Sequence, residues 1–215
     1  METAAAWIPL AMSDTEAPAA DADARLMLEF QAGDLVAFEL LFSRHSRAIV
    51  NFAYRFVRNR EVAEELAQEV FIKVYDAGRN YRAEAKFTTW LYRIATNVCL
   101  NEVRRPQFRA PHQSLDTPAS DDPDDRPPEI EDTARPSPEK QLERRGLRDL
   151  LKRALDALPE KQRVAFILNK YQELSYAETA EVMRTSEKAV KSLIHRAKEA
   201  LAERLAALVP ELGLK

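Results

Sequence analysis

Eight of the chain's 12 prolines fall between residues 106 and 138, around the run Asp121-Asp122-Pro123-Asp124-Asp125. Proline removes a backbone donor, and a segment this poor in apolar side chains cannot offset the entropy of being ordered. The stretch reads as a flexible acidic linker, and it forces the rest of the chain into two small units rather than one large core. The sequence divides into an extension over 1–21, a first domain over 22–105, the linker over 106–136 and a second domain over 137–215. The extension is rich in Ala, Pro, Asp and Glu and reads as disordered. Its apolar run Ala4–Leu10 lacks a positive n-region and is broken by Pro9, which argues against a signal peptide, and Met12 is a second candidate start. No apolar run approaches the length needed to span a membrane.

A net charge of −3 hides a division along the chain. The extension carries −4 and the linker −5, whereas residues 22–105 carry +2 and residues 137–215 carry +4. Both structured parts are mildly basic, so the overall acidity is no argument against a nucleic-acid partner. The four glycines, Gly33, Gly78, Gly146 and Gly213, are too far apart to build a phosphate-binding loop. The single cysteine, Cys99, excludes an internal disulfide and a Cys-rich zinc site. His45, His112 and His195 are too dispersed to suggest a metal site. With no cluster of acid/base groups either, the expectation is a reduced, cytoplasmic protein that is not an enzyme and has no cofactor, metal or small-molecule substrate.

No stretch alternates as a strand must, so the fold class is all-α: an N-terminal helical bundle and a C-terminal helix-turn-helix domain. A short helix covers about Ala22–Ala32 and ends at Gly33. Asp34 caps a long second helix in which Phe38, Leu41, Phe42, His45, Ile49, Phe52 and Phe56 recur at helical spacing. Asn59 caps a third helix over about Arg60–Ala77, terminated by Gly78. A fourth runs from about Lys86 to Arg105, where Pro106 stops it. Ser137-Pro138-Glu139 restarts helix, with a cap, a proline in the first turn and an acid at the positive dipole end. Leu142, Leu147, Leu150, Leu151, Leu155 and Leu158 form its apolar stripe, and Pro159 opens a further helix to about Tyr171.

The most specific local signal lies at 174–205. Ser175 and Glu178 make a capping box for a short helix to about Met183. Arg184-Thr185-Ser186 then forms a turn, with Ser186 the cap of a longer helix. In that helix Val190, Leu193, Ile194, Ala197, Leu201 and Leu205 share an apolar arc, opposite Lys188, Lys191, Ser192, His195 and Arg196. With the small Ala180 at the crossing, this is helix-turn-helix geometry, and the cationic face suits base edges and phosphates of a major groove. The alternative is an ordinary helical hairpin with a solvated basic side. Arg184 stands where such turns prefer glycine, and a positive φ there costs on the order of 1 kcal/mol.

On the fourth helix Leu91, Ile94, Ala95 and Val98 face inward, while Lys86, Trp90, Arg93, Asn97, Asn101 and Arg104 share the other side. Basic groups interleaved with an aromatic suit a nucleic acid whose bases are unstacked, although Trp90 also fits a place at the edge of the core. Tyr81, Arg82, Phe87 and Thr88 add aromatic and polar candidates around the preceding loop. The third helix buries Val62, Leu66, Val70 and Val74. Phe71, Ile72 and Tyr75 carry hydrophobicity beyond that stripe, beside Glu61, Glu65, Gln68 and Glu69. Either the domain's other helices cover this second side, or a protein partner does.

Glu64–Phe71 (EELAQEVF) and Phe87–Asn97 (FTTWLYRIATN) resemble the first conserved domain of bacterial sigma factors. Leu158–Arg163 (LPEKQR), Leu174–Ala180 (LSYAETA) and Val190–Ala197 (VKSLIHRA) resemble the second. The two-domain size resembles the extracytoplasmic-function (ECF) group. The resemblance implies a subunit that binds core RNA polymerase, directs it to promoters and helps open the duplex. It implies that Glu65, Gln68, Glu69 and Ile72 dock on the clamp helices of the β′ subunit, with the β flap as a further contact. It also implies that Asn80, Arg82, Lys86, Phe87, Trp90, Arg93, Asn97, Asn101 and Arg104 read the −10 element, capturing a flipped base. Arg184, Ser186, Lys188, Lys191, Ser192, His195 and Arg196 would read the −35 element. The acidic linker would thread through the polymerase channels, and an anti-sigma factor would sequester both domains, in some cases at the membrane. A helix-turn-helix regulator outside the polymerase is the main rival reading, and it leaves the Trp90 and Ile72 surfaces without a role.

Overall fold

The computed structural model describes residues 21–105, 146 and 150–208, and these are helical with no strand. The extension over 1–20, the linker and the expected helix start at Ser137 lie outside the described residues. The first unit comprises α1 (Ala22–Gln31), α2 (Leu35–Val57), α3 (Arg60–Gly78) and α4 (Phe87–Arg104). The second comprises α5 (described over 150–156), α6 (Glu160–Lys170), α7 (Tyr176–Met183) and α8 (Glu187–Leu208).

Several of the helix boundaries have local causes. Asp34 accepts a hydrogen bond from the Val36 N–H at 2.9 Å, and Asn59 accepts from Val62 at 3.2 Å. The Ser175–Glu178 capping box is reciprocal, at 3.2 Å and 2.8 Å. The turn between α1 and α2 passes through Gly33 at φ 107°, a conformation open to glycine. Arg58 and Arg184 close α2 and α7 in the left-handed region, at φ 56° and φ 50°. Arg184 thus takes the strained turn position that the sequence assigned to it.

The first unit packs its four helices around Met27, Leu41, Ile49, Phe52, Val70, Val74, Phe87 and Leu91, all essentially solvent-free. Leu41, Ile49, Phe52 and Phe56 of the predicted α2 stripe are buried, but Phe42 is 44% exposed. Leu40, Leu41 and Phe42 are consecutive, and a helix cannot turn three neighbours inward together. In the second unit α8 buries Val190, Ile194, Ala197 and Leu201 against α5, α6 and α7.

The two units also pack on one another. Val164, Ile167, Leu168, Leu174 and Val182 join the core of the first unit, and α4 lies directly against α7. Two polar side chains of the first unit finish the seam: the Arg55 guanidinium lies 4.3 Å over the Tyr171 ring, and Tyr92 Oη donates to Gln172 at 2.5 Å. Burial pushes the Tyr92 hydroxyl up to about 12, so it stays a donor.

Candidate nucleic-acid interface

The first surface is built on α4. Lys86 at its N-cap position supplies no side-chain cap. Asp21 does so from the far end of α1: its Oδ2 accepts from the Phe87 N–H at 2.6 Å, while Oδ1 accepts from Asp23 at 3.1 Å. At the other end of α1, Gln31 Nε2 donates to the carbonyls of Arg79 at 2.8 Å and Tyr81 at 3.2 Å. The loop carrying the exposed Asn80 and Arg82 is therefore pinned from behind by α1. Trp90 is half-buried, 5.0 Å from the Tyr81 ring and 5.8 Å from Phe87. Tyr81 is itself buried, and burial, reinforced by the Asp21 carboxylate, pushes its phenol up to about 12.

Phe87 does not belong to this surface. Its ring is 0% exposed, enclosed by His45, Tyr81 and Trp90, and cannot reach a base. Phe87 precedes Leu91 by four residues and Ala95 by eight, which places it on the inward stripe; the spacing held this signal. The rest of the α4 set does share one side. Asn97 and Asn101 are exposed, and Arg93 is half-buried with its Nε enclosed and unpartnered among the described residues. Lys86 and Arg104, at the two ends, are engaged by carboxylates of the second unit. Lys86 Nζ lies 2.8 Å from Glu178 Oε1. Arg104 forks onto Glu160, Nη2 to Oε1 at 2.6 Å and Nε to Oε2 at 3.1 Å. The Arg104 hydrogen bonds hold the Glu160 carboxyl below its usual range. Burial opposes ionisation of Glu178, but hydrogen bonds from Lys86 and Ser175 outweigh it and lower its pKa. Sequence reasoning did not find these acids, because their partners lie 56 and 92 residues away.

The second surface is α8. Lys188, Lys191, Ser192, His195 and Arg196 are all exposed, as are Arg184 and Ser186 in the turn. Ser186 Oγ accepts from the Ala189 N–H at 3.2 Å, fixing the start of the helix. Val190 is fully buried beneath the crossing, and Ala180 lets α7 approach. Lys191 pairs with Glu187 at 2.6 Å and stands 5.6 Å over the Tyr176 ring, so its charge is held at the helix's leading edge. This is a helix-turn-helix with an exposed cationic face.

The third surface lies on α3. Glu65, Gln68 and Ile72 are exposed, with Ile72 at 62%, and Glu69 is half-buried and paired with Lys73 at 3.4 Å. Phe71 turns inward and meets Phe42 edge-on at 4.8 Å. Tyr75 is 41% exposed and rests on Phe30 and Phe38 at 5.0 and 5.3 Å. Phe71 thus belongs to the core, while Ile72 and Tyr75 belong to the surface.

The family described as Sigma-70 region 2 matches residues 41–109, and that described as Sigma-70, region 4 matches residues 148–201. The RNA polymerase sigma-H factor of Pseudomonas aeruginosa is 34% identical over 191 residues, covering 88% of this chain and 96% of that protein. The chain belongs to the sigma-70 family. The ECF RNA polymerase sigma-E factor of Escherichia coli is 32% identical over 187 residues, covering 87% and 96% of the two chains.

Solved structures agree on the fold of this ECF sigma factor. CnrH in complex with the cytosolic domain of CnrY superposes with a TM-score of 0.63 at 23% identity, covering 87% of this chain and 99% of that one. The sigma factor RpoE of Bartonella quintana, in complex with the anti-sigma factor NepR, gives 0.56 at 22% identity, covering 79% and 96%. The α4 surface falls within the region 2 match and the α8 surface within the region 4 match. No helix among the described residues is long and apolar enough to cross a membrane, and none of their His, Cys, Asp and Glu side chains cluster as a metal site.

Proposed function

We propose how this ECF sigma factor divides the work of directing core RNA polymerase to promoters. The α8 face, with Lys188, Lys191, Ser192, His195 and Arg196, enters the major groove of the −35 element, and Arg184 and Ser186 flank it. Asn80, Arg82, Lys86, Trp90, Arg93, Asn97, Asn101 and Arg104 hold the non-template strand of the −10 element. The pinned loop at Asn80 and the half-buried Trp90 receive an unstacked base. Opening the duplex costs a few kcal/mol, repaid by stacking and by charge on the strand. Glu65, Gln68, Glu69 and Ile72 dock on the β′ clamp helices, and the second unit meets the β flap.

The observation that carries this reading is the co-occurrence of a region 2 and a region 4 match in that order, each over a surface of fitting chemistry. The linker between them makes the second DNA contact effectively intramolecular, so modest affinities multiply. The work is done by binding energy, in the cytoplasm where the polymerase acts. The complexes of CnrH and RpoE support an anti-sigma factor as a further partner. Promoter-specific transcription with purified core polymerase tests the reading. Initiation above the core-only background on members of a diverse promoter library is expected; none on any member returns the chain to a regulator outside the polymerase.

A further inference from the structure

The loop that leads from α3 to α4, residues 79–86, is held at both ends by the short helix α1. Asp21, the N-cap of α1, accepts the Phe87 N–H where the loop runs into α4. Gln31, the last residue of α1, takes hold where the loop leaves α3. Its Nε2 donates to the carbonyls of Gly78 at 3.3 Å, Arg79 at 2.8 Å and Tyr81 at 3.2 Å. Carbonyls accept and cannot donate, so only the NH2 end of the amide fits this place. The Arg79 and Tyr81 carbonyls lie on either side of Asn80, which is exposed. The Tyr81 ring packs on Trp90 at 5.0 Å, so the same hydrogen bonds fix the backbone that serves both candidate base contacts. Gln31 is itself exposed and stands outside the core, and it lies before the region 2 match, which begins at residue 41.

We infer that Gln31 is a positioning residue for base selection: its amide donor fixes the backbone on both sides of Asn80, and with it the place that Asn80 and Trp90 offer to an unstacked base. The inference rests on the −10 reading of the loop and α4, and adds what sets its selectivity. A base taken out of the stack is read by hydrogen bonds to its edge, and these discriminate only when the reading group is held in place. Asn80 N–H donates to the Ala77 carbonyl at 3.0 Å and Tyr81 N–H to that of Gly78 at 3.1 Å, which makes a tight turn at the end of α3. Gln31 grips the carbonyls of that turn from a helix that carries none of the proposed base contacts. Loss of the donor leaves the core intact and frees the turn to shift. A shift of about 1 Å at a reading group is enough to cost much of its discrimination.

The test uses holoenzyme formed from the full chain and core polymerase, on two promoter libraries. One is randomised in the −10 element and the other in the −35 element, and transcripts are counted by sequencing. Gln31→Leu keeps the size of the side chain and removes the donor. Gln31→Glu presents only acceptors to the three carbonyls, and Gln31→Lys presents only donors. Gln31→Leu and Gln31→Glu are expected to reduce the strongest −10 base preference of the parent chain about fivefold or more, with −35 preferences unchanged. Gln31→Lys is expected to retain it. Hydrogen exchange at Asn80 and Tyr81 should quicken in Gln31→Leu and Gln31→Glu, while α2 exchanges as in the parent. Parent-like −10 preference in Gln31→Leu overturns the inference. So does an equal loss in Gln31→Lys, which would assign the effect to packing, or an equal loss of −35 preference, which would assign it to the fold at large. A parent chain that initiates without any −10 preference overturns the −10 reading and the selectivity built on it, while exchange at Asn80 and Tyr81 still shows whether Gln31 holds the loop.

Discussion

Asp21 Oδ2 accepts the backbone N–H of Phe87 at 2.6 Å, across 66 residues of chain. Its other oxygen caps α1 through Asp23, so one carboxylate serves the first turns of two helices. Replacing an ordinary cap by alanine costs about 1 kcal/mol, and the double role at Asp21 raises this to about 2 kcal/mol. Asp21→Ala is expected to lower the urea midpoint accordingly. It should also speed hydrogen exchange at Phe87 and Thr88 more than within α2. Equal acceleration in both helices would mean that Asp21 does not anchor α4.

Gly78 ends α3 where two side chains of α1 come close. A Cβ there would lie 2.5 Å from Met27 Cε and 2.7 Å from Phe30 Cε1. Met27 can swing aside, but Phe30 is held against Phe38 and Tyr75, each with ring centroids 5.0 Å away. Alanine gains up to about 1 kcal/mol in helix propensity, against about 1–3 kcal/mol for overpacking. Gly78→Ala is therefore expected to be destabilising in thermal unfolding. A rise in the midpoint would show that Phe30 yields freely.

Four helix starts are legible because their causes are local: Asp34, Asn59, the Ser175–Glu178 box and Ser186 all cap as their spacing implies. The helix-turn-helix was legible for the same reason, down to the left-handed Arg184. What escaped depends on tertiary approach. Phe87 follows a cationic loop and so looks like a DNA contact, although its spacing from Leu91 places it inward. The meeting of Lys86 with Glu178 and of Arg104 with Glu160 leaves no mark at short range. Gly78 looks like a helix stop in sequence, whereas its lack of a side chain also makes room for Met27 and Phe30.

The two proposed DNA surfaces, on α4 and α8, make opposite demands. Lys191→Ala removes a charge from the exposed leading edge of α8 and is expected to cut −35-dependent initiation, with less effect on a premelted template. A single lost phosphate or base contact corresponds to about 1–3 kcal/mol. Trp90→Ala should do the reverse, impairing opening on duplex more than −35 binding. Trp90 packs on Tyr81 and Phe87, so circular dichroism and a thermal midpoint must accompany it. Equal losses on both templates for Lys191→Ala would contradict its duplex-reading role.

Acid should open the seam between the units. The pKa values of Glu160 and Glu178 are lowered in the folded chain from the usual 4.5, with Arg104 and Lys86 as their partners. A lowered carboxylate contributes stability that is fully present above its unfolded value and lost as pH falls through the folded one. Lys86 is raised from 10.5 by the same hydrogen bond, and its contribution persists until pH climbs through the raised value. Closure is therefore expected to be level across neutral pH and to fall below the ordinary carboxylate range. Energy transfer between the units, followed against pH at constant ionic strength, reads this directly. Opening near pH 6–7, the range of a histidine, would assign the seam to other groups.

The α3 surface offers the sharpest separation of binding from folding. Gln68 and Ile72 are both exposed, and neither contributes to the core beneath. Surface substitutions away from caps and cores usually change stability by less than about 0.5 kcal/mol. Truncating an exposed apolar side chain at a docking site, by contrast, costs binding by about 1 kcal/mol or more when it is a hot spot. Gln68→Ala with Ile72→Ala is expected to leave circular dichroism and thermal unfolding unchanged while weakening binding to core polymerase at least several-fold. Titration of a fluorescently labelled chain with core enzyme supplies the measurement. Unchanged affinity would remove both residues from the docking surface and shift attention to Tyr75, Phe42 and Leu40 on the adjoining exposed face.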